Sequence, residues 1–308
     1  MKYLNLYKNL GLKNNSEEIF HYFISNLRGS LYTWDYFVDW IKIKKNIKKI
    51  EIELNILNYL IGKEDIEKEF LKLIKEYPNI KRVLPIIIAV RESKLKNFNI
   101  ITDMDNLISE NISDIFNPSK SFINEDRILE FFIKSGLKSI FKDKQIKNLV
   151  DYCYGVEVGL DTNARKNRTG ILMENIVKKF IEDFSKKFNI KYLSQVTKTD
   201  IEINFQFPII VDRYDRKFDF GLFNNLKNKL YLLEVNYYSG GGSKLKSTAG
   251  EYQDVYKLLK KQNIYFIWIT DGIGWLTSKN PLFEAFQELD YIFNLELLFS
   301  NVLNEIIL

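Results

Sequence analysis

The run KLYLLEVNYY, Lys229 to Tyr238, constrains the fold of this 308-residue chain more than any other stretch. It is short, apolar and rich in strand-forming residues. Its apolar continuity places it inside a sheet covered by helices. One acid, Glu234, interrupts it, and a carboxylate there is costly unless it is paired or binds a cation. The neighbouring segments extend the pattern. RKFDFGLF, Arg216 to Phe223, reads as a strand, and the turn NNLKN joins it to the run as a hairpin. GGGSKLK follows, then STAGEYQDVYKLLKKQ as a helix and NIYFIWIT as a buried strand ending at Asp271-Gly272.

Upstream, RTGILMENIVKKFIEDFSKKF aligns Ile171, Leu172, Ile176, Val177, Phe180, Ile181 and Phe184 on one helix face. IEINFQF then reads as a further strand, and PLFEAFQELDYIF as a closing helix with Pro281 in its first turn. The order helix, three strands, helix, strand predicts an α/β fold over residues 151–308, a mixed sheet flanked by helices. Residues 1–150 read as mainly helical. SEEIFHYFISNLRGSLYTWDYFVDWIKIKK, IEKEFLKLIKEY and NEDRILEFFIKSGLKSIFKD carry apolar residues at helical spacing, with Asn124 a candidate cap and Gly136 near a helix end. Loop signals fall at Pro78, Asn117-Pro118 and Gly155.

Composition narrows the chemistry. One cysteine, Cys153, excludes an internal disulfide framework and fits a reducing compartment, and one histidine, His21, cannot build a histidine-rich zinc site. Metal chemistry must then rest on oxygen ligands, which points to Mg²⁺. The formal charge of +5 permits a polyanionic partner without demanding one. VLPIIIAV is too short to span a bilayer, and the amino terminus lacks a signal-peptide core, so a cytoplasmic location is expected.

Three acids stand out in this order. Glu174 is expected in the first turns of a helix, Asp219 in the hairpin's first strand and Glu234 near the end of its second. Paired strands lie about 5 Å apart, so Asp219 and Glu234 can share one cation. Such an ion polarises a phosphate and activates water. Taken singly, Asp219 facing solvent and Glu174 on an exposed helix face are the simpler readings. GVEVGLDTNARKNRTG, Gly155 to Gly170, is expected as a loop ahead of the Glu174 helix. Its Asn163, Arg165, Lys166, Asn167 and Arg168 suit base edges and phosphates, the alternative being a solvated basic loop. The lysine run IKIKKNIKKI reads first as a solvated helix face.

The acids resemble those of the PD-(D/E)XK nuclease superfamily, whose hairpin carries Asp and then Glu-x-Lys. The resemblance assigns metal binding to Asp219 and Glu234 and an auxiliary acid to Glu174. Asn236 stands where that pattern has lysine. GVEVGLDTNARKNRTG, EVNYYSGGGSKLKSTAGEY and WITDGIGW, in this order, resemble more narrowly the DpnII/MboI family of type II restriction endonucleases. That resemblance implies Mg²⁺-dependent cleavage of double-stranded DNA before the G of unmethylated GATC. It also implies a cognate adenine methyltransferase as functional partner. A palindromic target implies a homodimer. Lys244 or Lys246, delivered by the glycine loop, is the candidate substitute for the strand lysine, Lys244 the better of the two, with Asn236 as a polar stand-in; the equal alternative is that GGG is a flexible turn and both lysines only contact the DNA backbone. Another DNA nuclease of the superfamily, for repair or junction resolution, and a non-cleaving DNA-binding protein remain the alternatives.

Overall fold

The computed structural model describes residues 1–34, 36–116, 124–143 and 145–308, with the backbone alone at Lys96, Asn97, Asp103, Asn163, Ala164, Lys166 and Asn167. The loop signal at Asn117-Pro118 lies outside the described residues. The chain divides into two units, one of Trp34–Arg165 and one of Met1–Thr33 with Lys166–Leu308. The boundary expected at 150 therefore differs at both ends. Residues 1–33 join the C-terminal unit because Phe23 is fully buried against Phe286 and its carbonyl accepts from the Asn294 side chain at 3.0 Å.

Unit Trp34–Arg165 is mainly helical. Its helices include Trp40–Lys48, Ile66–Glu76, Glu125–Lys134 and Leu137–Lys142. Asn124 caps the third, accepting from the Arg127 amide at 3.1 Å, and Gly136 at φ 85° turns the chain into the fourth. Phe70 stacks on Phe132 at 3.9 Å in the core. The helix expected from Ser16 onward stops at Ser25 and resumes only at Trp40, where Asp39 caps the Lys42 amide at 3.0 Å. A small antiparallel hairpin, β1 (Asn99–Asp103) and β2 (Ile108–Asn111), was not predicted. Its β2 residues are all exposed, so no apolar alternation marks it.

Leu149–Phe188 is one helix, and it absorbs the predicted loop GVEVGLDTNARKNRTG, Gly155 included. Each helical glycine costs about 1 kcal/mol relative to alanine. Buried acids one turn apart oppose that cost. Glu157 accepts from Arg91 and Asn46, each at 3.0 Å, and Asp161 accepts from the Asp39 amide at 3.2 Å.

In the other unit a five-stranded sheet runs in the order β3 (Lys191–Thr197), β4 (Lys217–Asn224), β5 (Lys229–Tyr237), β6 (Tyr265–Asp271), β7 (Tyr291–Phe293). Strands β3, β4 and β5 are antiparallel, and β6 and β7 continue in parallel. The predicted hairpin, helix Ser243–Lys260 and buried strand are all present. IEINFQF, expected as a strand, belongs instead to helix Lys198–Phe205, because Thr197 and Asp200 form a capping box that starts it. The strand is the segment just before, KYLSQVT. Helix Lys279–Glu288 ends earlier than expected, and Tyr291–Phe293 is an edge strand. Among the described residues no helix is long and apolar enough to cross a membrane.

Candidate active site

Strand register assembles the site. Pairs Ser194↔Phe220 and Val196↔Phe218 flank Gln195 opposite Asp219, and one step beyond Phe220↔Leu233 stands Glu234 opposite Asp219. Gln195, Asp219 and Glu234 thus form a row across three strands on one face. The Gln195 amide donates to Asp219 Oδ1 at 3.0 Å and to Glu174 Oε2 at 3.2 Å. Asp219 Oδ2 accepts from the Val235 amide at 2.8 Å, and the Asp219 charge acts on the neighbouring Glu234 carboxyl. Glu174 lies in the interior of the Leu149–Phe188 helix, not in a first turn as expected. Gln195 has φ 54° inside an extended strand, a left-handed conformation that costs an unbranched residue on the order of 1 kcal/mol.

All three acids are pushed above the ordinary carboxylate range. Burial is the first cause in each. The neighbouring Asp219 charge adds to it at Glu234, whose shift is large, and at Glu174. Two cations oppose the shifts. Arg216 acts on Glu234, and Lys217 acts on Glu174 and Asp219. The Arg216 guanidinium is buried and already engaged, bonding Asp212 at 2.7 and 2.6 Å and Glu251 at 2.8 Å. The row therefore gathers more negative charge than it neutralises, in a donor set made of oxygen. Two carboxylates with water and phosphate oxygens fit Mg²⁺. Among the described residues no group of three or more His, Cys, Asp and Glu side chains is placed to hold a metal ion.

Glu234 is held from the opposite side by Tyr252, whose hydroxyl donates to Oε2 at 3.1 Å. Asn236 is bonded on the next strand instead, its Oδ1 accepting from the Trp268 indole at 2.9 Å. Lys244 and Lys246, expected on a returning loop, lie instead in the first turns of helix Ser243–Lys260, exposed and with no ion pair among the described residues. Lys244 shares a helix face with Thr248 and Tyr252, about 12 Å along the axis from Tyr252. Lys246 points elsewhere, lining a depression with Gly241, Thr277 and Pro281. Lys217, two residues before Asp219 on the same strand face, is the lysine whose charge reaches the row.

Lys217, Gln195, Arg216 and Tyr252 escaped the sequence reading. Lys217 carries the clearest signal, since period two from Asp219 places it beside the acids. Gln195 carries none, because its strand was assigned elsewhere. The third motif has a structural role. Gly272, at φ 104°, and Gly274 lie so close to the chain after β5 that an added Cβ would meet the Tyr238 carbonyl at 2.3 Å and the Gly240 carbonyl at 2.5 Å. Trp268 and Trp275 pack in the core, and Tyr237 is buried with its hydroxyl on the Arg28 carbonyl at 3.0 Å.

The basic segment sits on helix rather than loop, which removes the expected helix-start amides from it. Arg165 donates to the Phe37 carbonyl at 2.9 Å and Arg168 is half-buried. The side chains of Asn163, Lys166 and Asn167 lie outside the described residues.

Residues 19–305 match the family described as DpnII restriction endonuclease. The chain is 50% identical over 293 residues to the type II restriction enzyme MjaIII of Methanocaldococcus jannaschii, covering 94% of this chain and 99% of that protein. It is 39% identical over 274 residues to the type II restriction enzyme MboI of Moraxella bovis, covering 89% and 91%. It is 37% identical over 293 residues to the type II restriction enzyme DpnII of Streptococcus pneumoniae, covering 93% and 98%. Spread over nearly the whole length of both units, this similarity means that the chain belongs to the DpnII restriction endonuclease family.

Proposed function

We propose that this chain is a Mg²⁺-dependent homodimer that recognises unmethylated GATC in double-stranded DNA and hydrolyses the phosphodiester bond before the G. An adenine methyltransferase would protect the host's own sites. The observation that carries the catalytic reading is the row Gln195, Asp219 and Glu234 with Glu174 joined to it, its three carboxyls raised by burial and two of them also by the Asp219 charge. The specificity rests on the resemblance of the three sequence motifs to those of GATC-cutting enzymes.

Asp219 and Glu234 would hold the cation, which when bound polarises the scissile phosphate and lowers the pKa of an attacking water. Gln195 keeps Asp219 and Glu174 at a fixed separation, and the Val235 amide fixes the second Asp219 oxygen. Tyr252 keeps Glu234 turned toward Asp219 and favours its ionised form. Lys217 supplies the positive charge that the Glu-x-Lys pattern places on the next strand, and steadies charge developing on the phosphate. Asn236 anchors its strand to the next by accepting from the Trp268 indole.

The test is digestion of one plasmid, adenine-methylated or not, with Mg²⁺ or with EDTA, followed by sequencing of the fragment ends. Discrete fragments beginning with GATC, from unmethylated DNA and only with Mg²⁺, are expected. Fragments with another end sequence would replace the specificity, and a gel shift without cutting would replace the activity.

A further inference from the structure

The unit Trp34–Arg165 carries a surface that none of the chemistry above uses. Residues 34–165 hold 22 Lys and Arg against 21 Asp and Glu, so the unit as a whole is nearly neutral. Its helix Trp40–Lys48 is different. Lys42, Lys44, Lys45 and Lys48, with Lys49 just after, are all exposed, and no acid interrupts them from Trp40 to Ile50. None of the five has an ion pair among the described residues, whereas Lys75, Lys134 and Lys138 of the same unit are each bonded to a glutamate.

The helix buries Ile43 and Ile47 and turns the opposite face outward. At 100° per residue, Lys45 lies opposite Ile43 and Ile47, with Ile41 and Lys49 about 40° and Lys42 and Lys48 about 60° to its sides, and Lys44 at the border of the outer face. Large apolar groups accompany the lysines. Ile41 is 84% exposed, Trp40 53% and Trp34 99%. A solvated charged face explains lysines but not a wholly exposed tryptophan, because such a ring contributes nothing to the core and favours association. Unpaired cations beside a planar aromatic group match one partner, a nucleic acid, whose phosphates meet ammonium groups while its sugar and base surfaces meet the ring.

We infer that the outer face of helix Trp40–Lys48, with Trp34, is a sequence-independent contact surface for duplex DNA, adding affinity outside the recognised site. This inference rests on DNA being the substrate. Phosphate contacts fix register and supply salt-dependent affinity without reading bases. Substitutions here should therefore weaken binding to every duplex alike.

The experiment compares the full-length protein with Lys44→Ala/Lys45→Ala/Lys48→Ala and with Trp34→Phe. Binding to two 30-base-pair duplexes, one with and one without GATC, is measured in EDTA across a salt series. The lysine substitutions are expected to flatten the slope of log affinity against log salt by roughly 1 for each phosphate no longer neutralised, equally on both duplexes. DNA should quench tryptophan emission, and the quench should shrink in Trp34→Phe without vanishing, because Trp268 and Trp275 are fully buried and Trp40 is the other exposed indole. The lysine variant leaves Ile43, Ile47 and Asn46 in place, and cooperative melting checks its fold. Unchanged slopes together with an unchanged quench overturn the inference. So does a change of oligomeric state in Trp34→Phe with DNA binding intact, since the ring would then belong to a protein contact. If the parent protein neither binds nor cuts DNA, the substrate reading itself fails, which is a different result.

Discussion

The indole of Trp268 donates to Asn236 Oδ1 at 2.9 Å, and that bond ties the second residue after Glu234 to the middle of the core. Trp268 is fully buried, so its N–H has no water to turn to. Asn236 is therefore a structural residue as well as a neighbour of the site. Replacing Asn236 with Ala should destabilise the protein by about 1–3 kcal/mol, the cost of a buried donor left unpaired. Lysine at the same place should not restore the Glu-x-Lys arrangement, because it cannot accept the indole hydrogen. Thermal melts check the first claim, and cleavage rates of Asn236→Lys below those of the parent check the second.

Tyr252 stabilises the ionised form of Glu234, and its ring packs edge-on against Trp268 at 5.1 Å. Tyr252→Phe keeps the ring and removes the hydroxyl. The Glu234 pKa should then rise further, and the acid limb of the pH–rate profile should move to higher pH. Cleavage near neutral pH should fall roughly tenfold, the worth of one hydrogen bond to a charged group. A profile superimposable on the parent's would remove Tyr252 from the site.

Folded-state pKa values raised above the unfolded ones make the carboxyl row a source of instability once it ionises. The native state then holds protons that the unfolded state has released, so stability falls as pH rises from about 4 through the folded pKa values. Asp200 and Asp212 are lowered instead, and their contribution is lost as pH falls, so the comparison must be between variants. In EDTA, Glu234→Gln should gain melting temperature over the parent as pH increases. Mg²⁺ should raise the melting temperature of the parent and leave that of Glu234→Gln nearly unmoved. Equal responses of the two proteins to Mg²⁺ would falsify Glu234 as a ligand.

Lysine substitutions separate the two sources of positive charge. Lys217→Ala should lower the cleavage rate by about 10²-fold, the scale of one electrostatic donor at a developing charge. Lys244→Ala and Lys246→Ala should each cost less than about tenfold and mainly through DNA affinity. The reverse order, measured in single-turnover cleavage, would return the role to the helix lysines.

Asp219→Ala should abolish cutting and leave DNA retention in gel shifts largely intact. Its Oδ2 no longer accepts from the Val235 amide, so a modest fall in melting temperature is expected alongside.

Much of the sheet was legible because its signals are local. KFDFGLF and KLYLLEV alternate or run apolar over short spans, and NNLKN between them admits a tight turn with Asn228 at φ 52°. The errors fell where a distant contact overruled a local preference. Glycines argued for a loop at Gly155, and buried bonds from Glu157 and Asp161 made it helix. Isoleucines and phenylalanines argued for a strand at IEINFQF, and the Thr197–Asp200 capping box made it helix.

The sequence by itself determined the hairpin, the two acids opposite each other on it and the family to which the chain belongs. Those follow from period-two patterning and from motif order, which need no third dimension. Only the tertiary structure decided that Gln195 joins Asp219 to Glu174, and that Tyr252 and Trp268 lock Glu234 and Asn236. These partners come from separate strands and helices, and burial together with strand register, rather than nearness along the chain, brings them into reach.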